Sequence, residues 1–226
     1  MTLHIGLLVF PKVQQLDLTG PYDVFATMPG VTVHLVWKNL ESLQSSSGLT
    51  LTPTQTFESC PDLDVICVPG GVGVDALMED PETLAFIKHQ ASNAQYVTSV
   101  CTGALVLGAA GLLEGKRATT HWASHGLLEK FGAIPVKERV VRDGNLMTGG
   151  GVTAGIDFAL TLISEIFDAD KSQTIQLQLE YAPAPPFNAG RPDTAPAHVL
   201  AIATERATPG LVVRQQIVDR VVAAKR

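Results

Sequence analysis

Residues 96–113 read YVTSVCTGALVLGAAGLL, and the fold follows from how this stretch is parsed. Tyr96 to Val100 is a short apolar run with the length of a buried strand. It passes without a spacer into Cys101-Thr102-Gly103 and then into Ala104 to Leu113, a segment apolar nearly all round. A helix with no polar face is a buried helix. A strand that turns directly into a helix through small residues lifts one side chain, here Cys101, out of the carboxyl end of the sheet, where open α/β folds hold their ligands. The same place sets backbone N–H groups and the positive end of a helix beside the sulfur, so the sequence predicts a thiol biased toward thiolate.

Working outward, His4 to Phe10 (HIGLLVF) ends at Pro11, and Leu63 to Val68 (LDVICV) ends at Pro69-Gly70-Gly71. Continuous apolar runs of this kind are strands buried on both faces, as in a parallel sheet. Val31 to Trp37 reads as a further strand, and Glu41 to Pro53 as a hairpin or edge excursion. Thr19 or Gly20 is expected to cap a helix with Pro21 at its first position, running to Met28. Asp80-Pro81-Glu82 opens another through Ala91, and helices are expected at Ser124 to Phe131 and Ala154 to Phe167. Strands are expected at Arg117 to Thr120, at Val136 to Arg142, and at Leu146-Met147 after an Asp143-Gly144-Asn145 turn, ending at Gly149-Gly150-Gly151. Strands alternating with helices predict an α/β sandwich with a mostly parallel central sheet and a nucleophile elbow at Cys101. Residues 1–182 read as one domain. Residues 183–226 read as a C-terminal extension, irregular from Pro183 to Gly190 and helical from about Pro196, packing on the core or on a partner subunit.

Composition narrows the function. The 226 residues are 46% hydrophobic and only 17% charged, which excludes disorder and leaves few charges for a monomer's surface, so a homodimer is expected. Net charge is -6, and Lys and Arg form no long run. The sequence therefore carries no electrostatic footprint for nucleic acid or an anionic membrane. No secretory signal is read at the start, and no apolar run reaches the roughly 18 residues of a membrane span, so a cytoplasmic location is expected. Cys60, Cys67 and Cys101 are an odd set without Cys-x-x-Cys spacing, which points to neither a disulfide framework nor a metal site.

Among the candidates for chemistry, Cys101 stands first. Cys67 reads as core because it lies mid-strand, and Cys60 lies in a loop with no activating neighbour in sequence. Gly70 and Gly71 let backbone approach a ligand closely and offer N–H groups to negative charge. Asp17, soon after the first strand, belongs to the ligand-bearing end of the sheet, although an aspartate there can also cap the helix. His121 can be read either as a partner for Cys101 or as a satisfied hydrogen-bonding histidine.

The segments HIGLLVFPKVQQLDLTGPYDVF, DVICVPGG, SVCTGALVLGAAGLL, ATTHW and GNLMTGGGVTAGIDFAL, about residues 4 to 167, resemble the DJ-1/PfpI (ThiJ) superfamily and its flavodoxin-like sandwich. The tail QLQLEYAPAPPFNAG extends the likeness toward the isocyanide-hydrating branch. The resemblance implies hydration of a small apolar isocyanide, R–N≡C, to an N-substituted formamide by a homodimer that needs no metal and no other cofactor. It implies Cys101 as the nucleophile forming a thioimidate, Asp17 as general acid and then base, and Thr102 orienting Asp17 or water. The Gly70-Gly71 loop and the Gly71 and Thr102 N–H groups would touch substrate. Many relatives carry His where this chain has Thr102, and Glu where it has Asp17. Two other readings share these motifs. One is a DJ-1-like protein acting on reactive carbonyls or sensing oxidants through Cys101. The other is the ligand-sensing domain of an AraC-type regulator, against which the 36 residues after Gly190 are too few for that class's paired helix-turn-helix module.

Overall fold

The computed structural model describes residues 2–225. Strand β1 (Leu3–Leu8) leads into helix α1 (Gln15–Ala26), and β2 (Val31–Trp37) is followed by the short β3 (Leu43–Gln44), β4 (Thr50–Leu51) and β5 (Gln55–Thr56). Next come β6 (Val65–Val68), α2 (Val74–Leu77), α3 (Pro81–Asn93), β7 (Tyr96–Val100) and α4 (Gly103–Ala109). Then β8 (Arg117–Ala118), a 3₁₀ run over Trp122–Phe131 and β9 (Ile134–Pro135) precede β10 (Val140–Asp143) and β11 (Leu146–Gly149). Helices α5 (Ala154–Ile166), α6 (Ala169–Gln178) and α7 (Ala197–Ala223) complete the order.

Seven strands form one sheet in the order β10-β11-β7-β6-β1-β2-β5. Every pairing is parallel except that of edge strand β10 with β11. The chain leaves β1 toward β2 on one side and resumes at β6 on the other. Such a reversal opens a crevice beyond the carboxyl ends of the strands, here those of β1, β6 and β7. The central strands β6 and β7 are buried along their whole length, which is why β6 is apolar without alternation and β7 carries no polar residue larger than the hydroxyls Thr98 and Ser99 besides the phenol of Tyr96. Helices α1 and α5 approach closely because glycines face each other's neighbours: a Cβ on Gly155 would lie 3.0 Å from Pro21 Cδ, and one on Gly20 would lie 3.1 Å from Ile156 Cγ1.

Helix α1 departs from the sequence reading. It begins at Gln15, so neither Thr19 nor Gly20 is its cap, and Pro21 lies inside it. Proline has no N–H for the carbonyl four residues back, and that carbonyl belongs to Asp17. The expected helix at Ser124–Phe131 is a 3₁₀ run, and strand structure within 136–142 is confined to its last residues, in β10. Helix α6 follows α5 after a brief break and was not read in the sequence, since its exposed face is polar and its apolar positions are few.

The segment 183–196 is largely exposed and irregular, after which α7 returns against the 3₁₀ run and α4. Only Ile217 and Val218 of α7 are buried. Accessible surface totals 10982 Å², against about 9,900 Å² for a compact monomer of this mass. Among the described residues no helix is long and apolar enough to cross a membrane.

Candidate active site

Cys101 occupies the elbow between β7 and α4 at φ 55°, a left-handed conformation uncommon for a residue with a side chain. Its backbone is held on both sides. The N–H donates to Gly149 O (3.1 Å) and Gly150 O (2.8 Å), and the carbonyl accepts from Thr120 Oγ1 (2.7 Å). Gly103 is required two residues on, because a Cβ there would stand 1.9 Å from Val68 O. The turn is therefore tight enough to aim the thiol from the sheet end while leaving Cys101 only 6% exposed.

Three chain segments converge at Gly70. Its N–H donates to Asp17 Oδ2 (2.9 Å), and its carbonyl accepts from Gln14 N–H (2.8 Å). A Cβ on Gly70 would lie 2.6 Å from both Thr102 N and Thr102 Oγ1 and 2.7 Å from Asp17 Oδ2. Only glycine lets these groups meet. The Gly71 N–H donates to Thr102 Oγ1 (3.0 Å), so the Thr102 hydroxyl grips the loop and that N–H is already engaged. The structure thus brings Cys101, Asp17, Thr102, Gly70 and Gly71 together, with Gly71 acting through Thr102.

Asp17 is wholly buried, and among the described residues its Oδ1 has no hydrogen-bond partner. Burial pushes its pKa from 3.8 up to about 7, against the opposing pull of the Gly70 N–H and of the Cys101 thiol. The contact with sulfur falls short of a well-aligned hydrogen bond, since Oδ1 remains unpartnered, but the two groups perturb each other. Burial and then the neighbouring Asp17 charge push the Cys101 thiol well above its ordinary value, and these outweigh the Thr102 and Val152 N–H groups that favour the thiolate. Burial and the Asp17 charge thus oppose the thiolate bias expected from the helix end, and the sulfur shares its site with a carboxyl whose own pKa burial pushes up to about 7.

The Val152 N–H was not among the residues singled out in the sequence. It acts through backbone alone, and its only trace is the preceding Gly149-Gly150-Gly151 run, whose first two carbonyls hold Cys101. His121 does not pair with Cys101. Its Nδ1 accepts from Ala123 N–H (3.3 Å), capping the 3₁₀ run, and burial followed by the Arg214 charge pulls its pKa down. Cys67 is buried mid-strand, its thiol pushed by burial to about 12. Cys60 is half-buried and raised to about 11, by burial and then by Asp62. Burial dominates at both, outweighing the one favourable contact, that of Thr98 with Cys67.

The DJ-1/PfpI family pattern matches residues 4–165, spanning the sheet, the elbow and nearly all of α5. The chain belongs to the DJ-1/PfpI family. This DJ-1/PfpI protein is 68% identical over 223 residues to an isonitrile hydratase of Pseudomonas putida, a match covering 99% of this chain and 98% of that one. A crystal structure of a ThiJ/PfpI family protein from Pseudomonas syringae superposes with a TM-score of 0.94 at 44% identity, covering 96% of this chain and 91% of that chain. A transcriptional regulator of Pseudomonas aeruginosa, GbdR, is 32% identical over 139 residues, 61% of this chain and 38% of the regulator.

Proposed function

We propose that the protein is an isocyanide hydratase, converting R–N≡C and water to R–NH–CHO at Cys101. The observation that carries this reading is the buried pairing of the elbow thiol of Cys101 with Asp17, whose Oδ2 is held by the Gly70 N–H and whose Oδ1 is left free of hydrogen bonds among the described residues. Near-full-length identity to an isonitrile hydratase supports it. An isocyanide must receive a nucleophile and a proton at the same carbon, and this pair supplies both. Asp17 carboxylate takes the thiol proton as sulfur attacks the terminal carbon, then delivers that proton to the carbon, leaving the thioimidate R–N=CH–S–Cys101. Water adds to the C=N bond with Asp17 assisting: hydroxyl goes to carbon and a proton to nitrogen. The C–S bond then breaks, the hydroxyl proton returns to sulfur through Asp17, and R–NH–CHO leaves. Thr102, gripping Gly71, holds the loop whose Gly70 N–H orients Asp17. Every step uses groups of the chain and water.

Incubation with cyclohexyl isocyanide in H₂¹⁸O, followed by mass spectrometry, should give N-cyclohexylformamide carrying the label. Cys101→Ser should abolish the product, whereas Cys60→Ala and Cys67→Ala should retain it. Product formation by Cys101→Ser at the parental rate would refute covalent catalysis. Turnover of methylglyoxal but not of isocyanide would move the assignment to carbonyl chemistry.

A further inference from the structure

Helix α7 has two unlike halves. Pro209 and Gly210 lie within it, removing one intrahelical donor and adding backbone freedom at the junction without breaking the helix. The half beyond them is anchored: Ile217 and Val218 are buried, and Arg214 donates from Nε to Asp75 Oδ1 (2.7 Å) and from Nη1 to Ser124 Oγ (3.3 Å). Asp75 lies in α2, directly after the Gly70-Gly71 loop. The half before Pro209 presents Val199, Ile202, Ala203, Arg206 and Ala207, spaced as one helical face, to His121 and Trp122 across a groove of about 510 Å³. That volume is in the range of small-molecule sites, roughly 300–1,000 Å³.

One wall of the groove, His121, stands beside the glycine loop that holds the Cys101 backbone. A Cβ on Gly151 would stand 3.2 Å from His121 Cδ2, and the two residues before Gly151, Gly149 and Gly150, accept the Cys101 N–H. Thr120, beside His121 in sequence, holds the Cys101 carbonyl. The His121 and Trp122 rings tilt against each other, with centroids 5.5 Å apart, and form a firm aromatic wall. The lining suits an uncharged organic group: besides Trp122 its polar side chains are His121, whose Nδ1 is already engaged, and the exposed Arg206.

We propose that this groove receives the organic substituent of the isocyanide, an alkyl or aryl group, and so determines which substrates are turned over. The proposal rests on the hydratase reading and adds a specificity site built largely from α7. The test compares kcat/KM for methyl isocyanide and cyclohexyl isocyanide in the parent, in Ala203→Phe, which fills the groove, and in Ile202→Ala, which widens it. Both changes fall on a half-exposed helix face, so folding should survive. The cyclohexyl-to-methyl ratio should fall by about tenfold or more in Ala203→Phe and rise in Ile202→Ala, in keeping with the worth of a few methylene groups in an apolar pocket. An unchanged ratio in both variants overturns the proposal, and so does an unchanged ratio accompanied by altered sedimentation of Ala203→Phe, which would assign the face to a second subunit. If the parent hydrates neither compound, the hydratase reading fails and the groove is judged separately. N-cyclohexylformamide titrated into Cys101→Ala should change Trp122 fluorescence saturably, with the signal lost in Trp122→Phe, and a flat titration overturns the groove.

Discussion

Asp17 carries the sharpest consequences at the scale of single residues. Its carboxyl is neutral more readily in the folded protein, at about 7, than in the unfolded chain, at about 3.8. Between these values the folded state binds the additional proton, so this group's contribution makes stability fall as pH rises, by up to about 1.4 kcal/mol per pH unit. Asp17→Asn keeps the acceptor for the Gly70 N–H and removes the ionisation. It should therefore gain on the parent in urea unfolding at pH 8, with the gain shrinking toward pH 4. Catalysis should move oppositely. Removal of the thiol proton requires the carboxylate, so kcat/KM of the parent should drop about tenfold per pH unit below pH 7. In the Asn variant turnover should be lower by something like 10²-fold or more, and that acidic limb should be absent. A parental acidic limb in the variant would assign the proton transfer elsewhere.

Among the elements, α7 is joined to α2 and the turn after it through two ion pairs, Arg214 with Asp75 and the more exposed Arg220 with Glu79. Arg214 and Asp75 are each mostly buried, and removing one strands the other's charge at a cost of about 3 kcal/mol. Asp75→Ala should lower Tm and expose α7 to proteolysis near Pro209, an outcome that limited trypsin digestion and peptide mapping would detect. How far elements are legible in sequence follows from what each displays. Strands β1, β6 and β7 were legible because burial on both faces forces continuous apolar runs, and the elbow because no spacer separates Val100 from Gly103. The start of α1 was not, since proline fits a first turn and is also tolerated deeper in a helix whose partner helix offers Gly155. The residues at the site were legible as types and not as an environment. Neither the burial of Cys101 nor the environment of an Asp17 brought up from the first helix has a signature in local sequence, and the Val152 N–H leaves only the glycine run before it.

For the whole molecule, the accessible surface exceeds that of a compact monomer by about 1,000 Å², close to the ~800 Å² that each partner contributes to a standard interface. Apolar side chains away from the groove are exposed as well: Val212 and Val213 on α7 and Phe187 on the preceding segment. We therefore expect a homodimer, with sedimentation at micromolar concentration giving about twice the chain's 24.0 kDa. A monomer would contradict this expectation. At either size, the hydrogen bond from Gly70 to Asp17 makes the site observable by nuclear magnetic resonance. A hydrogen bond to a carboxylate is shorter and stronger than one to the neutral acid, and the glycine amide responds by moving its proton resonance downfield. Glycine nitrogens resonate apart from those of other residues, so the Gly70 cross-peak should report the charge on Asp17 through its titration near pH 7 without substrate, label or substitution. The same cross-peak followed during addition of a slow isocyanide would show, in real time, when the carboxyl gains and loses its proton.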